Sequence, residues 1–514
     1  MSDTEYNNYI SGKDENICND VNPEDNVGVD ITMNGMIRYA CMGTVLTSCS
    51  TDYEGVLVIP EGVQILASNC FRYCNKLTGI VIPSTLEIIS RDTFRNTTAL
   101  SYFEVNKDNK YYSTSNDNDV LFDIEKQILV RASCNIEEYV VPETVLTIRH
   151  FAFHRSKALK KIHFPANLKE VFSSAFEGCT SLGEVSLPDT VTKIGRFAFG
   201  GCTLLKSMVI PCQVKKCSVG VFYECSSLEN IHLPENLTSI DADSFAYCIS
   251  LREIYIPSAV KKIDSSAFQG CESLVNIVVA DNNAKYSSDD NCLYDKYQTS
   301  LLRCSAEYET FIAPELLSDI QSYAFSGCMK LQKVFLPKYL LKIEDYTFGN
   351  CQKLDSIDIP ENVIAIKKCA FENCKNLVSV NIAENSSLRK IGAYAFAGCE
   401  KLENINLPDI LTDICDSGDN GGGTFSECTS LKEIDLPPKI NYLNESIFYN
   451  CKSLTKVKLP YGLDYLDQDV FFGCDNIKTV ILRNVNTTIE EGTFPENVDI
   501  IVEESQLYNK IMFE

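Results

Sequence analysis

Phenylalanine recurs in this chain at a fixed interval, and that interval limits the fold more than any other feature. Phe153, Phe176, Phe199, Phe222, Phe245 and Phe268 are each 23 residues apart, as are Phe325, Phe348 and Phe371, and again Phe425, Phe448, Phe471 and Phe494. With Phe71, Phe94 and Phe396 they make a set of sixteen. Thirteen of the sixteen are followed three residues later by Cys, and fourteen are preceded by Pro, usually eleven residues upstream. Self-similarity of this length marks a stacked repeat array, in which each unit buries its apolar face only against its neighbours.

The unit from Ala175 to Ile194 shows the pattern. Leu182, Val185 and Leu187 end in a period-two alternation, which reads as a short half-buried strand. Pro188 stops it, because proline cannot donate to a ladder. Val191 and Ile194 return apolar groups to the interior, and Ala-Phe-x-x-Cys supplies a turn or short helical stretch on the far side. Each unit offers about five or six apolar side chains, each worth roughly 1.5 to 3 kcal/mol when fully buried. The expected fold class is an α/β repeat solenoid of 23-residue coils, mostly β and turn, with a parallel β-sheet on its concave face. At about 4.8 Å per rung, some eighteen rungs would give a monomeric rod on the order of 80 Å long.

Two intervals are more than twice the period. Phe94 to Phe153 and Phe268 to Phe325 each hold one expanded coil, near 106–141 and 279–313. Val120-Leu121-Phe122-Asp123 with Ile128-Leu129-Val130, and Cys292-Leu293-Tyr294-Asp295 with Leu301-Leu302-Arg303, flank polar turns and read as projecting hairpins. Residues 416–423, with three successive glycines, read as a flexible loop. The remaining divisions are an acidic, disordered segment at 1–35, an N-terminal cap at 36–60, the solenoid at 61–494 and a C-terminal cap at 495–514.

Forty-six basic against 70 acidic residues leave a net charge of −24. That field disfavours nucleic acid and anionic membrane surfaces. No apolar run is long enough to span a bilayer, so no membrane insertion is expected. The start has neither the basic nor the apolar part of a secretory signal.

The 24 cysteines raise the question of metal or disulfides. Ligands spread along a ladder do not converge on a metal, and there is no CxxC. Neighbouring rungs bring Cα atoms within bridging range, but parallel Cβ vectors suit a disulfide poorly. Packed, reduced thiols are therefore expected, and they favour a reducing compartment. His150 and His154, beside Phe153, read as surface histidines. No catalytic, cofactor-binding or metal-binding residue is expected, no cofactor, and no enzyme activity.

The exposed strand column is the one uneven feature. It runs through His163, Ser186, Val209, His232, Tyr255, Val278, Ile312 and Phe335 and then turns polar at Asp358, Asn381, Asn406 and Asp435. Tyr255, Val278, Ile312 and Phe335 read as four neighbouring rungs with apolar groups facing water, next to His232. Such a surface can mark a binding site, and β-propensity alone also supplies these residue types.

The recurring Ala-Phe-x-Gly-Cys-x-x-Leu-x-x-Ile-x-Leu-Pro unit resembles the BspA-like leucine-rich repeat family. Lys285-Tyr286-Ser287-Ser288 and Cys292-Leu293-Tyr294-Asp295 are similar to an insert of that family, and Val502-Glu503-Glu504-Ser505-Gln506-Leu507-Tyr508 to its C-terminal cap. The resemblance covers about residues 36–514. It implies a leucine-rich-repeat solenoid without catalytic residues, often surface-associated and adhesive, which conflicts with the reducing compartment that the thiols favour. Two readings follow: a non-catalytic scaffold that presents its sheet to a protein or glycan partner, or a structural spacer rod without a specific ligand.

Overall fold

The computed structural model of the protein describes residues 31–33, 36–414, 422–496 and 498–503. The segment 1–30 and most of the 416–423 glycine loop lie outside them, as does the chain beyond 503. The described residues divide into two compact units. One runs to Leu182 and includes Lys193–Phe199; the other is Gly183–Thr192 with the residues from Gly200 onward.

Most coils contribute to two parallel ladders, where the sequence reading expected one. In the first unit the longer strands pair in the orders Gly55–Val58, Leu77–Ile82, Tyr102–Val105 and Glu138–Val140, Lys161–His163. In the second they include Glu253–Ile256 with Asn276–Val279, and Thr310–Ile312 with Lys333–Phe335. A second ladder is built from two-residue strands such as Thr147–Ile148, Glu170–Val171 and Lys193–Ile194, or Lys342–Ile343, Ala365–Ile366 and Lys390–Ile391. These are the Val-x-x-Ile segments, whose pairing is too short to show an alternation of its own. The coil chosen above is less regular than its neighbours: around Val185 it forms an isolated bridge at Glu184 and no strand.

The far side of the coil holds no α-helix among the described residues, so the α part of the expected α/β class is corrected to turn. The reason is backbone geometry. The residues two before and two after the Phe are left-handed in coil after coil: Ser174 and Gly178 around Phe176, Tyr346 and Asn350 around Phe348. Alternating handedness cannot propagate a helix, and Gly178, at φ +74, sits where a side chain would be strained. Neighbouring coils supply the hydrogen bonds instead. Phe153 N–H donates to Ala175 O at 2.7 Å, and Phe348 N–H to Ala370 O at 2.8 Å. The Phe rings stack in register, 5.0 Å apart for Phe153 and Phe176, 4.9 Å for Phe325 and Phe348. The ladder thiols are buried and form no disulfide. In most coils the Sγ lies within donating distance of the Phe carbonyl one coil back, as in Cys179 to Phe153 (3.0 Å), Cys351 to Phe325 (3.1 Å) and Cys451 to Phe425 (3.2 Å).

The expanded coils share one internal plan. Each folds three antiparallel strands, Tyr112–Thr114, Val120–Asp123 and Ile128–Ala132 in one unit, Tyr286–Asp289, Cys292–Asp295 and Ser300–Arg303 in the other. Neither has a Phe at the turn. A buried arginine fills that place. Arg131 donates to Phe151 O (2.5 Å) and Thr97 O (2.8 Å); Arg303 donates to Ser326 O (2.6 Å) and Cys271 O (2.9 Å). The guanidinium thus bonds carbonyls of the coil before and the coil after, the service the cysteine gives elsewhere. On the preceding side, Tyr112 and Tyr286 hydroxyls accept the N–H of Ile89 and Ile263, and Asn109 and Asn283 amides donate to the turn carbonyls of Leu86 and Val260.

His154 corrects the surface reading: it is buried, with Nε2 2.9 Å from Asn96 Oδ1. Burial, with Arg131, Arg155 and Arg95 nearby, pushes its pKa well below the ordinary histidine value. His150 stacks on Phe172 and is lowered to about 3 by burial and by Arg91 and Arg149.

His154 therefore stays neutral in the fold while the unfolded chain takes up a proton. Its contribution to stability is complete above about pH 6.5 and is lost as pH falls from there, at roughly 1.4 kcal/mol per pH unit. Calorimetry of wild type and His154→Gln at about pH 7 and pH 5 should show a smaller loss of Tm on acidification in the variant. An equal loss in both would remove His154 as an acid-sensitive group.

Candidate functional site

Strand alternation decides which side chains of a longer strand meet water. In Glu253–Ile256 and Asn276–Val279 the second and fourth residues are buried and the third points out. Tyr255 and Val278 are the third residues and are direct cross-strand partners. Thr310–Ile312 and Lys333–Phe335 follow the same rule, with Phe311 and Val334 inside and Ile312 opposite Phe335 outside. Fractional exposures are 44% for Tyr255, 41% for Val278, 71% for Ile312 and 54% for Phe335. His232 is exposed as the partner of Val209 on the preceding pair of strands.

These four side chains do not form one run of neighbouring rungs. The insert strands Tyr286–Asp289 and Cys292–Asp295 lie beside Asn276–Val279, where Thr310–Ile312 was expected. Ser288 Oγ accepts the Val279 N–H at 3.0 Å. The expected patch is therefore two pairs, Tyr255 with Val278 and Ile312 with Phe335, separated by the expanded coil.

The second pair extends in a direction that the sequence reading missed. Leu316, Tyr339 and Leu341 are also exposed, in the turns that follow Pro314 and Pro337. Two residues after the proline most coils carry a small or polar group, such as Thr85, Thr144, Asn167, Gln213 or Asn362. Leu316 and Tyr339 hold that place in two successive coils. Apolar surface thus runs from the sheet face around its edge. The departure of one turn position from its own column was the available signal. Lys338 Nζ sits 5.8 Å from the Tyr339 ring centroid, and the Lys330–Glu307 ion pair closes at 2.7 Å. On the following strands the column is polar and self-paired, with Asn381 donating to Asp358 at 2.7 Å. The result is an apolar centre with a polar margin, the usual anatomy of an interface.

Nothing in this arrangement brings together a nucleophile and a base. Among the described residues no group of three or more His, Cys, Asp or Glu is placed to hold a metal ion, and no helix is long and apolar enough to cross a membrane.

A family model described as the BspA type leucine rich repeat region matches residues 49–116, 130–248, 173–300, 299–418 and 420–505. Among solved structures, a leucine-rich cell surface protein from Faecalibacterium prausnitzii is 21% identical, covers 89% of this chain and 96% of its own, and has a TM-score of 0.41. The pneumococcal vaccine antigen PcpA is 17% identical, with 93% and 99% covered and a TM-score of 0.48. A leucine-rich repeat protein from Eubacterium ventriosum is 19% identical, with 70% and 94% covered and a TM-score of 0.45. No curated protein matches the chain.

The register of the face is open to a direct check. Phe335→Ser should leave Tm nearly unchanged, because exposed substitutions shift stability by about 0.5 kcal/mol or less. Val334→Ser, one residue away and buried, should cost on the order of 2 to 4 kcal/mol. The reverse pattern in thermal melts would place the strand one residue out of register.

Proposed function

This chain belongs to the BspA-type leucine-rich repeat family, and from that premise we propose that it is a non-catalytic binding scaffold that presents its longer-strand sheet to a protein or glycan partner. The observation that carries the proposal is the exposed apolar surface of Ile312 and Phe335, continued by Leu316, Tyr339 and Leu341. A strand face turned to water normally alternates apolar-in and polar-out. Departure from that rule in two successive coils and at two places per coil is more than strand propensity requires, because the turn positions are not strand positions. Aromatic groups such as Phe335 and Tyr339 are enriched at interfaces, and tyrosine is among the side chains that most often dominate binding energy. The same chemistry favours a protein partner or the apolar faces of sugar rings over a polyanion, in keeping with the net charge of −24. Tyr255, Val278 and His232 would extend the contact beyond the insert. Adhesion or host contact is the setting that we propose for such a face, from the family resemblance.

The test starts with proteins and glycans retained by the immobilised full chain at physiological salt. Each is then measured against Tyr255→Ser/Phe335→Ser and against a control pair on the polar column, Asp358→Ser/Asn381→Ser. Loss of about 2 kcal/mol or more of affinity in the first pair and little change in the second is the expected result. A first pair that folds and binds every retained partner like wild type would remove the face as the site, and no retained partner at all would favour the spacer reading.

A further inference from the structure

The two expanded coils can be laid over each other at one constant offset, Arg131 on Arg303 and Asp123 on Asp295. Under that offset Val120 and Ala132, direct cross-strand partners in the first hairpin, are replaced in the second by Cys292 and Cys304. The pairing of Leu293 with Arg303 carries on to set these two cysteines opposite each other, and their Sγ atoms are 3.7 Å apart. Cys304 N–H donates to Ala324 O across to the next coil, not to its hairpin partner. The two cysteines therefore face each other at a non-hydrogen-bonded position, the narrower kind in an antiparallel pair, with Cα atoms about 4.5 Å apart and within the range that a disulfide spans. Most ladder thiols differ: they lie on parallel coils and point at Phe carbonyls, as Cys271 and Cys351 do, while Cys328 meets the Cys304 thiol from the next coil.

Cys292 has two further features. Ser305 N–H donates to its sulfur at 3.3 Å, and the hydrogen bond with the Cys304 thiol, helped by this one and opposed by burial, holds Cys292 below the ordinary thiol range. It also directly follows the two-residue turn Asp290-Asn291, both left-handed and both exposed. The sulfur is buried, yet its residue directly follows exposed Asn291 at the tip of the hairpin.

We propose that Cys292 and Cys304 are a site of reversible oxidative modification, at which a peroxide converts the facing thiols into a cross-strand disulfide. The Cys292 thiolate attacks one peroxide oxygen, the O–O bond breaks, and a sulfenic acid and one water result. Cys304 sulfur then attacks the sulfenic sulfur, the S–O bond breaks, and a second water leaves as the S–S bond forms. Two thiols lose two electrons and two protons, and the peroxide takes them up. Reduction by a small dithiol returns both thiols. The bond would tie two strands of the insert that stands between Val278 and Ile312.

The experiment treats the full native chain with hydrogen peroxide, blocks remaining thiols under denaturing conditions and digests without reduction. The expected result is a linked pair of peptides carrying Cys292 and Cys304, with loss of two hydrogens, formed at least ten times faster than any product at the ladder cysteines. Dithiothreitol should reverse it. Cys328, on the other side of Cys304, serves as internal control, and Cys328→Ala should keep the link. Cys292→Val/Cys304→Ala, the residues of the first hairpin, should abolish it with Tm unchanged in reducing buffer. Two free thiols after treatment, a link from Cys304 to Cys328, or equal oxidation of the ladder would each overturn the proposal. The wild-type measurement decides the matter even where the double variant fails to fold.

Discussion

Backbone groups on the far side of each coil have no helix to satisfy them, and everything else in the structure follows from how neighbours do so. A turn with left-handed residues on both sides of the Phe leaves its N–H and C=O pointing along the stack. The next coil's carbonyl takes the N–H, and the next cysteine's thiol reaches back to the C=O. The Phe C=O already accepts the N–H three residues on, as in Cys179 N–H to Phe176 O at 3.1 Å, so the thiol of the next coil adds a second, weaker donor to a buried carbonyl with two lone pairs. The thiol's small size matters as much, because it fits under the stacked Phe rings at the spacing that the strands impose. Phe, Cys and the two ladders thus have one common repeat distance, and no coil is complete alone.

The buried arginines obey the same requirement where the regular solution is missing. An expanded coil has no Phe-x-x-Cys turn of its own, so the carbonyls of the coils on either side lack the donors that such a turn supplies. A guanidinium presents several donors in a rigid fork and can reach both. Arg131 and Arg303 do this with carbonyl partners rather than carboxylates, which lets a permanent charge stay in the interior of an acidic protein.

Legibility in the sequence tracks periodicity. The Phe column, the buried thiols and the outward residues of the longer strands are in phase over many coils, and Tyr255, Val278, Ile312 and Phe335 could be assigned to one exposed column from spacing alone. Three things were out of phase or too short to read. Lys193–Ile194 and its equivalents are two-residue strands whose pairing is visible only across coils. His154, next to a period-marking Phe, looked like any polar turn residue, because nothing local shows that Asn96 in the previous regular coil accepts it. Val278 and Ile312 looked adjacent because column counting skips an insert. The Leu-x-Arg repeat of Leu129 to Arg131 and Leu301 to Arg303 stands in the sequence, and its recurrence in the two expanded coils, which lack the Phe, was the clue to a shared plug.

Both inserts interrupt the regular pairing on their N-terminal side. The longer-strand ladder stops at Tyr102–Val105 and at Asn276–Val279, and the short-strand ladder stops at Ile88–Ile89 and Lys262–Ile263. Side chains do much of the joining there: a tyrosine hydroxyl, an asparagine amide and an arginine. Elsewhere in these units, folding can spread coil by coil, each new turn finding a formed edge to add to. At an insert the advancing front meets no strand of matching register, and the hairpin must close by itself before the array can continue. Each insert is therefore a seam between cooperative blocks, a place where opening can begin without the neighbouring coils losing their order.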